Sequence, residues 1–269
     1  MKNVLIKPHD QSICRWSIQE NGMCPYRELT NMILNGLTKE KIRCKDKQCL
    51  QIIKKHRPEI QSDMDLLRAT NHTDYTKPDG PATTMNLLSN VNIDDVLHDW
   101  SVASINSPNF TNGPFYHVDF EMRDFMRSIR SALRDLDFDK LRKSGFRTFG
   151  CVLNTDVWAG PGEHWVCIFG TIKAEGPIKV EYFNSSGNGL DMFSELVEWA
   201  DHKCEEGYDV SIKEVSNVEL QKSETECGMW CLCYIKSRLE GHDPLHFIKK
   251  NITDDAVTEM RRYLFHVEK

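Results

Sequence analysis

No stretch of this 269-residue chain approaches the roughly 18–20 consecutive apolar residues that a bilayer-spanning helix requires, so no membrane partner is expected. The opening Met1-Lys2-Asn3-Val4-Leu5-Ile6-Lys7-Pro8 has too short an apolar run for a secretory leader, and the chain is expected inside a cell, not secreted. There is no Cys-x-x-Cys pair, which leaves thioredoxin-type redox chemistry unsupported. Repeats and low-complexity tracts are also missing. The ten cysteines, without a sign of export, read as reduced thiols and not as a disulfide framework. The dipeptide Gly-Gly occurs nowhere in the chain.

What is there is a globular composition: 40% hydrophobic and 28% charged residues, enough to bury a substantial core. The net charge of −6 is uneven. Residues 1–60 hold twelve Lys and Arg against six Asp and Glu, a balance of +6 that leaves −12 for the rest. The densest run is Lys39 to Lys47, followed by Lys54-Lys55-His56-Arg57. A basic patch of this kind can contact nucleic acid or an acidic partner, but the plainer reading is a solvated helix face.

Apolar residues at helical spacing (Leu29, Met32, Ile33, Leu37) predict a helix in the basic region, and a shorter one around Leu50, Ile52 and Ile53 stops near Pro58. The turn-rich segment 71–84, with Lys77-Pro78-Asp79-Gly80-Pro81, reads as a linker. It divides a helical arm, 1–83, from a core, 84–269. In the core, Ile93, Val96, Leu97 and Trp100 predict a helix capped by Asn92, and Met122 to Leu136 a longer one. Strands are expected at Arg147–Leu153, Trp165–Phe169, Ile178–Phe183 and from Tyr208 to Ile212, with helices over Phe193–Cys204 and Cys227–Leu239. A last helix is capped by Thr253 and runs to Val267. The fold class is therefore α+β, a mixed sheet flanked by helices.

Four residues in this core fit one kind of chemistry. Cys227 opens a predicted helix, where unpaired N–H groups and the helix dipole favour the thiolate that attacks as a nucleophile. Gly228 lets the chain turn there and leaves room for a substrate backbone. His164 precedes the strand Trp165–Phe169 and can serve as the base. Asn184 ends another strand and can hold the ring by accepting its Nδ1–H, as in Cys-His-Asn sets. Gln221 and the Cys227 backbone N–H can donate to a developing oxyanion. Each has a plainer reading: a buried helix thiol, a structural histidine, a turn asparagine. What distinguishes them is their joint occurrence, each at an element end. No metal is expected, because Cys231 and Cys233 project about 200° apart on a helix. Cys14, Cys24, Cys44 and Cys49 fit no standard zinc finger, and no cofactor is expected.

The set Glu163-His164-Trp165, Tyr182-Phe183-Asn184, Gln221 and Glu226-Cys227-Gly228 resembles the clan of cysteine proteases that contains adenain and the SUMO-specific proteases. Within it, the stretches Thr148–Asp156, Glu181–Ser185 and Glu224–Gly228 are most similar to the African swine fever virus type of polyprotein-processing protease. The resemblance implies a virus-encoded endopeptidase that cuts structural polyproteins after Gly-Gly (Gly-Gly-X) during virion maturation, at host cytoplasmic assembly sites and in the virion. It also implies that Trp165 lines a channel in which only glycines fit, and that Asn154 lies near the substrate or the His164 loop. Asn184 stands where the wider clan has a carboxylate. With no Gly-Gly in the chain, self-cleavage at such a site is not expected. Two other activities share the chemistry: an isopeptidase acting on a ubiquitin-like modifier, whose tail also ends in Gly-Gly, and acyl transfer.

Overall fold

The computed structural model describes residues 86–105, 110–215 and 217–265, together with Pro78, Gly80 and Pro81. The expected arm, its helices, its four cysteines and the boundary at residue 83 lie outside the described residues.

The described part is built on one mixed sheet. Its elements are α1 (Asn90–Ser104), β1 (Phe115–His117), β2 (Glu121–Met122), a short 3-10 turn (Phe125–Arg127), α2 (Phe138–Lys143), β3 (Thr148–Asn154), β4 (Trp165–Ile172), β5 (Ile178–Phe183), α3 (Ser194–Glu205), β6 (Val210–Glu214), α4 (Cys227–Leu239), α5 (His246–Lys249), α6 (Asp254–Glu259) and α7 (Arg261–Leu264). The strand order is β1-β3-β4-β5-β6, with β2 also paired to β3. The β3–β4 and β4–β5 pairs are antiparallel; β1–β3, β2–β3 and β5–β6 are parallel.

β3 is buried along its whole length, because both faces of the sheet are covered, and a strand in that position reads as an unbroken apolar run. On one face Phe149, Cys151, Val166, Ile168, Val180 and Tyr182 pack with Phe138 of α2 and Leu196 and Trp199 of α3. Against the other lies α4, in which all but Arg238 are buried. Phe183 of β5 stacks on Tyr234 of α4 with ring centroids 4.3 Å apart. This central helix carries Cys227 at its first position, so the packing that builds the core also fixes the thiol.

Three expectations need correction. The long helix over Met122 to Leu136 does not form. The apolar spacing is helical, but the buried Glu121 carboxylate takes the Ser131 hydroxyl (2.7 Å) and the Leu133 N–H (3.2 Å), and the Leu133 carbonyl takes the Trp199 indole N–H (3.0 Å). These bonds replace the helical ladder, and Ile129 is left 96% exposed. The first core helix starts earlier than expected. Ser89 is its cap, and Asn92 is the third residue of a reciprocal capping box, accepting the Ser89 N–H at 3.0 Å. The last helix is two short ones, with Thr253 capping α6 as expected. The short parallel strands β1 and β2 were not anticipated.

Candidate active site

His164 enters the site because of the loop before it. Asn154, the last residue of β3, pairs with Trp165, and the Thr155 N–H donates to the His164 carbonyl at 2.9 Å. Between them, residues 155–163 fold around two side chains. Asn154 Oδ1 accepts the N–H groups of Asp156 (2.9 Å) and Glu163 (3.0 Å), and the Asp156 carboxylate accepts those of Val157 (2.8 Å) and Gly162 (2.9 Å). Gly162 has φ +89, which a side chain would strain. The loop is thus tied from inside, and His164 is held at its exit. Asn154, expected near the substrate or this loop, is buried and spends its oxygen on the loop's own backbone.

His164 Nε2 lies 2.9 Å from Asn184 Oδ1. The same oxygen receives the Ser186 N–H at 3.0 Å and the Ser186 hydroxyl at 2.8 Å. A backbone N–H can only donate, which fixes this atom as the amide oxygen. An amide oxygen can only accept, so Nε2 carries the proton, and in the neutral ring Nδ1 holds the free lone pair. The expectation of an Nδ1–H bond to Asn184 is therefore reversed: the ring is turned so that Nδ1, the basic nitrogen, is the one left for chemistry. Ring orientation is a tertiary matter, and no sequence signal could have given it.

Cys227 and Trp165 are brought together, with the Trp165 backbone N–H directed at the Cys227 sulfur. Burial pushes the Cys227 thiol up to about 11, and the N–H groups of Trp165, Gly228 and Cys227 itself only partly offset it. Burial also lowers the His164 pKa, against the opposing pull of the Asn184 bond. Burial thus favours the neutral forms of both the Cys227 thiol and the His164 imidazole, where the helix start alone would favour a thiolate.

Gln221 is buried and wired to the Asn184 turn. The Ser185 carbonyl accepts the N–H groups of Leu220 and Gln221, both at 2.9 Å, and the Ser185 hydroxyl meets Gln221 Oε1 at 2.7 Å. Gln221 Nε2 donates to the Ser223 carbonyl at 2.6 Å, which fixes the nitrogen end of the amide. The Trp165 indole donates to the Leu88 carbonyl at 3.1 Å and meets Phe120 edge-on at 6.3 Å, so the ring is clamped. Gly228 has another use than the one expected. A Cβ there would stand 3.2 Å from Leu88 and 3.3 Å from Ile93, so the glycine lets α4 approach α1.

Two features were missed in the sequence. Glu226, just before Cys227, forms a buried ion pair with Arg261 (Nε–Oε2 3.1 Å, Nη2–Oε1 3.0 Å). Asp254 accepts the N–H groups of Lys222 (2.7 Å) and Ser223 (2.8 Å) and the Trp230 indole N–H (2.7 Å). Both join residues far apart in the chain, beyond the reach of local patterns. Among the described residues no group of three or more His, Cys, Asp or Glu side chains is placed to hold a metal ion.

The chain is 32% identical over 277 residues to the cysteine protease S273R of African swine fever virus, covering 95% of this chain and 96% of that one. It belongs to the S273R family of viral cysteine proteases. The S273R protein of another isolate of that virus, named SUMO-1 cysteine protease, is 32% identical over 255 residues, covering 90% and 89%. The crystal structure of the African swine fever virus S273R protease shares the fold, with a TM-score of 0.69 at 27% identity over 97% of this chain and 98% of that one. No family model matches. Membership makes this S273R relative a cysteine-type peptidase, and the α+β reading with a mixed sheet and flanking helices stands.

Proposed function

We propose that this S273R-family protease is an endopeptidase that cleaves viral structural polyproteins after Gly-Gly during virion maturation, in the host cytoplasm and the virion, with Cys227 as nucleophile. The observation that carries the reading is the fixed tautomer of His164: Asn184 holds the proton on Nε2 and leaves Nδ1 to accept one. Attack and proton transfer then go together. The Cys227 thiol proton moves to His164 Nδ1 as sulfur bonds to the scissile carbonyl carbon, and the carbonyl oxygen becomes an oxyanion. The second Gln221 amide hydrogen and the Cys227 N–H receive that oxyanion. Collapse breaks the C–N bond, and the leaving amine takes the proton from the imidazolium. Water, deprotonated by the same nitrogen, hydrolyses the thioester and restores the thiol.

Specificity rests on Trp165. Its indole is clamped by the Leu88 carbonyl and Phe120, and a rigid ring lining the substrate channel admits glycines where a Cβ would collide. Peptides of the form Gly-Gly-X and Gly-Ala-X, compared as quenched substrates, test this: only the first should be cut, and equal cutting contradicts the channel. A second reading, removal of a ubiquitin-like modifier, is favoured by the name SUMO-1 cysteine protease that a relative bears. A folded modifier fused through its Gly-Gly tail, cut much faster than an unstructured Gly-Gly-X peptide, would favour that reading.

A further inference from the structure

The segment 221–223 carries the oxyanion donor yet belongs to no helix or strand. Its shape is set from outside, by one carboxylate. Asp254, in the first turn of α6, puts Oδ2 against the N–H groups of both Lys222 (2.7 Å) and Ser223 (2.8 Å). Bonds from backbone N–H to a carboxylate are shorter and stronger than neutral ones. The other oxygen, Oδ1, takes the indole N–H of Trp230 at 2.7 Å. Trp230 is fully buried and lies on α4, one turn beyond Cys227. A single side chain therefore ties the loop of Gln221 to the helix of the nucleophile.

The link reaches the Gln221 amide itself. That amide donates one hydrogen to the Ser223 carbonyl, and Ser223 is one of the two residues whose N–H Asp254 grips. Fixing Ser223 fixes the carbonyl that aims the amide. On the far side, the Ser185 hydroxyl meets Gln221 Oε1. The amide is held at both ends, and only the Ser223 end depends on Asp254.

We infer that Asp254 is a positioning residue for the oxyanion donor: through Ser223 it sets the aim of the Gln221 amide without touching substrate. This rests on the proposed oxyanion role of Gln221. The inference distinguishes the two carboxylate oxygens. The Oδ2 contacts matter for turnover, and the Oδ1 contact to Trp230 matters for packing.

The test is a double-mutant cycle of Asp254→Ala and Gln221→Ala on a quenched Gly-Gly-X peptide, with a folded-modifier fusion in parallel and thermal unfolding as control. Gln221→Ala should lower kcat on the order of 10²-fold, as loss of one oxyanion donor does. Asp254→Ala should lower kcat by about 10- to 100-fold through misplacement of that donor, with KM nearly unchanged. The double variant should be no slower than Gln221→Ala. Asp254→Asn should recover most of the rate, since its single oxygen can turn to both loop N–H groups and give up Trp230. Trp230→Phe should keep kcat while lowering the unfolding temperature. Should Asp254→Ala fail to fold, Asp254→Ser takes its place, being compatible with a helix start and too short to reach both N–H groups. Losses that multiply in the double variant, or a folded Asp254→Ala with wild-type kcat, would overturn the inference. An unchanged kcat in Gln221→Ala would overturn the oxyanion reading and this inference with it.

Discussion

Arg261→Met isolates what holds Glu226, the residue before Cys227. Glu226 is 1% exposed and Arg261 3%, and they meet through an aligned bond at 3.1 Å and a second contact at 3.0 Å. Methionine keeps much of the arginine's apolar length, so the change mainly strands the Glu226 carboxylate away from water. Removing one partner of a buried pair costs about 3–5 kcal/mol, because the remaining charge loses its compensation while still paying desolvation. For a domain of this size class that corresponds to a fall of about 6–20 °C in Tm. The bond from Arg261 Nη1 to the Asn86 carbonyl (3.0 Å) goes too, loosening the segment whose Leu88 carbonyl holds the Trp165 indole. Calorimetry of Arg261→Met, Glu226→Gln and the pair reads this out. The double variant should regain a large part of the loss, since no unpaired charge remains. A fall below about 2 °C in Arg261→Met, or a double variant that merely sums the singles, would show that the pair does not hold Glu226 in this way.

Asn184→Ala frees the His164 ring to turn and removes the acceptor that selects its tautomer; kcat should fall on the order of 10²-fold with KM little changed in steady-state cleavage assays. Because burial lowers the His164 pKa and the base must be neutral, the acidic limb of kcat/KM should lie below the ordinary imidazole value of 6.5. The same shift has a stability sign. The folded state disfavours the proton, so its contribution is present above 6.5 and is lost as the pH falls from there through the lowered value, which urea melts at several pH values would show. Gly228→Ala should lower stability by about 1–3 kcal/mol, as overpacking does, since its Cβ meets Leu88 at 3.2 Å and Ile93 at 3.3 Å. A denaturant midpoint equal to wild type would contradict that packing role.

Thr148–Asn154 was legible because an apolar run between turn residues has one good home, a strand covered on both sides, and Ile178–Phe183 because its apolar and polar residues alternate, Ile178 and Val180 buried and Lys179 exposed. Cys227–Leu239 was legible from its length and its stop near Gly241, which has φ +83. The stretch from Met122 to Leu136 misled for the opposite reason. Its spacing was helical, but a single buried carboxylate, Glu121, outcompeted the helix for Ser131 and Leu133. β1 and β2, three and two residues long, are too short to show any period. His164, Asn184, Gln221 and Cys227 stood out as candidates through their joint occurrence, and the fold brings His164 to Asn184 and Gln221 to the neighbouring Ser185. The direction of the His164 ring, the use of Asn154 on its own loop and the grip of Asp254 could not be read, because each depends on a partner set by the finished fold.

Cleavage of a quenched Gly-Gly-X peptide by the wild type beside Cys227→Ala and His164→Ala, with folding checked by thermal unfolding, tests the assignment of nucleophile and base. Turnover is expected from the wild type and none above background from either folded variant. Turnover that survives in Cys227→Ala would contradict that assignment.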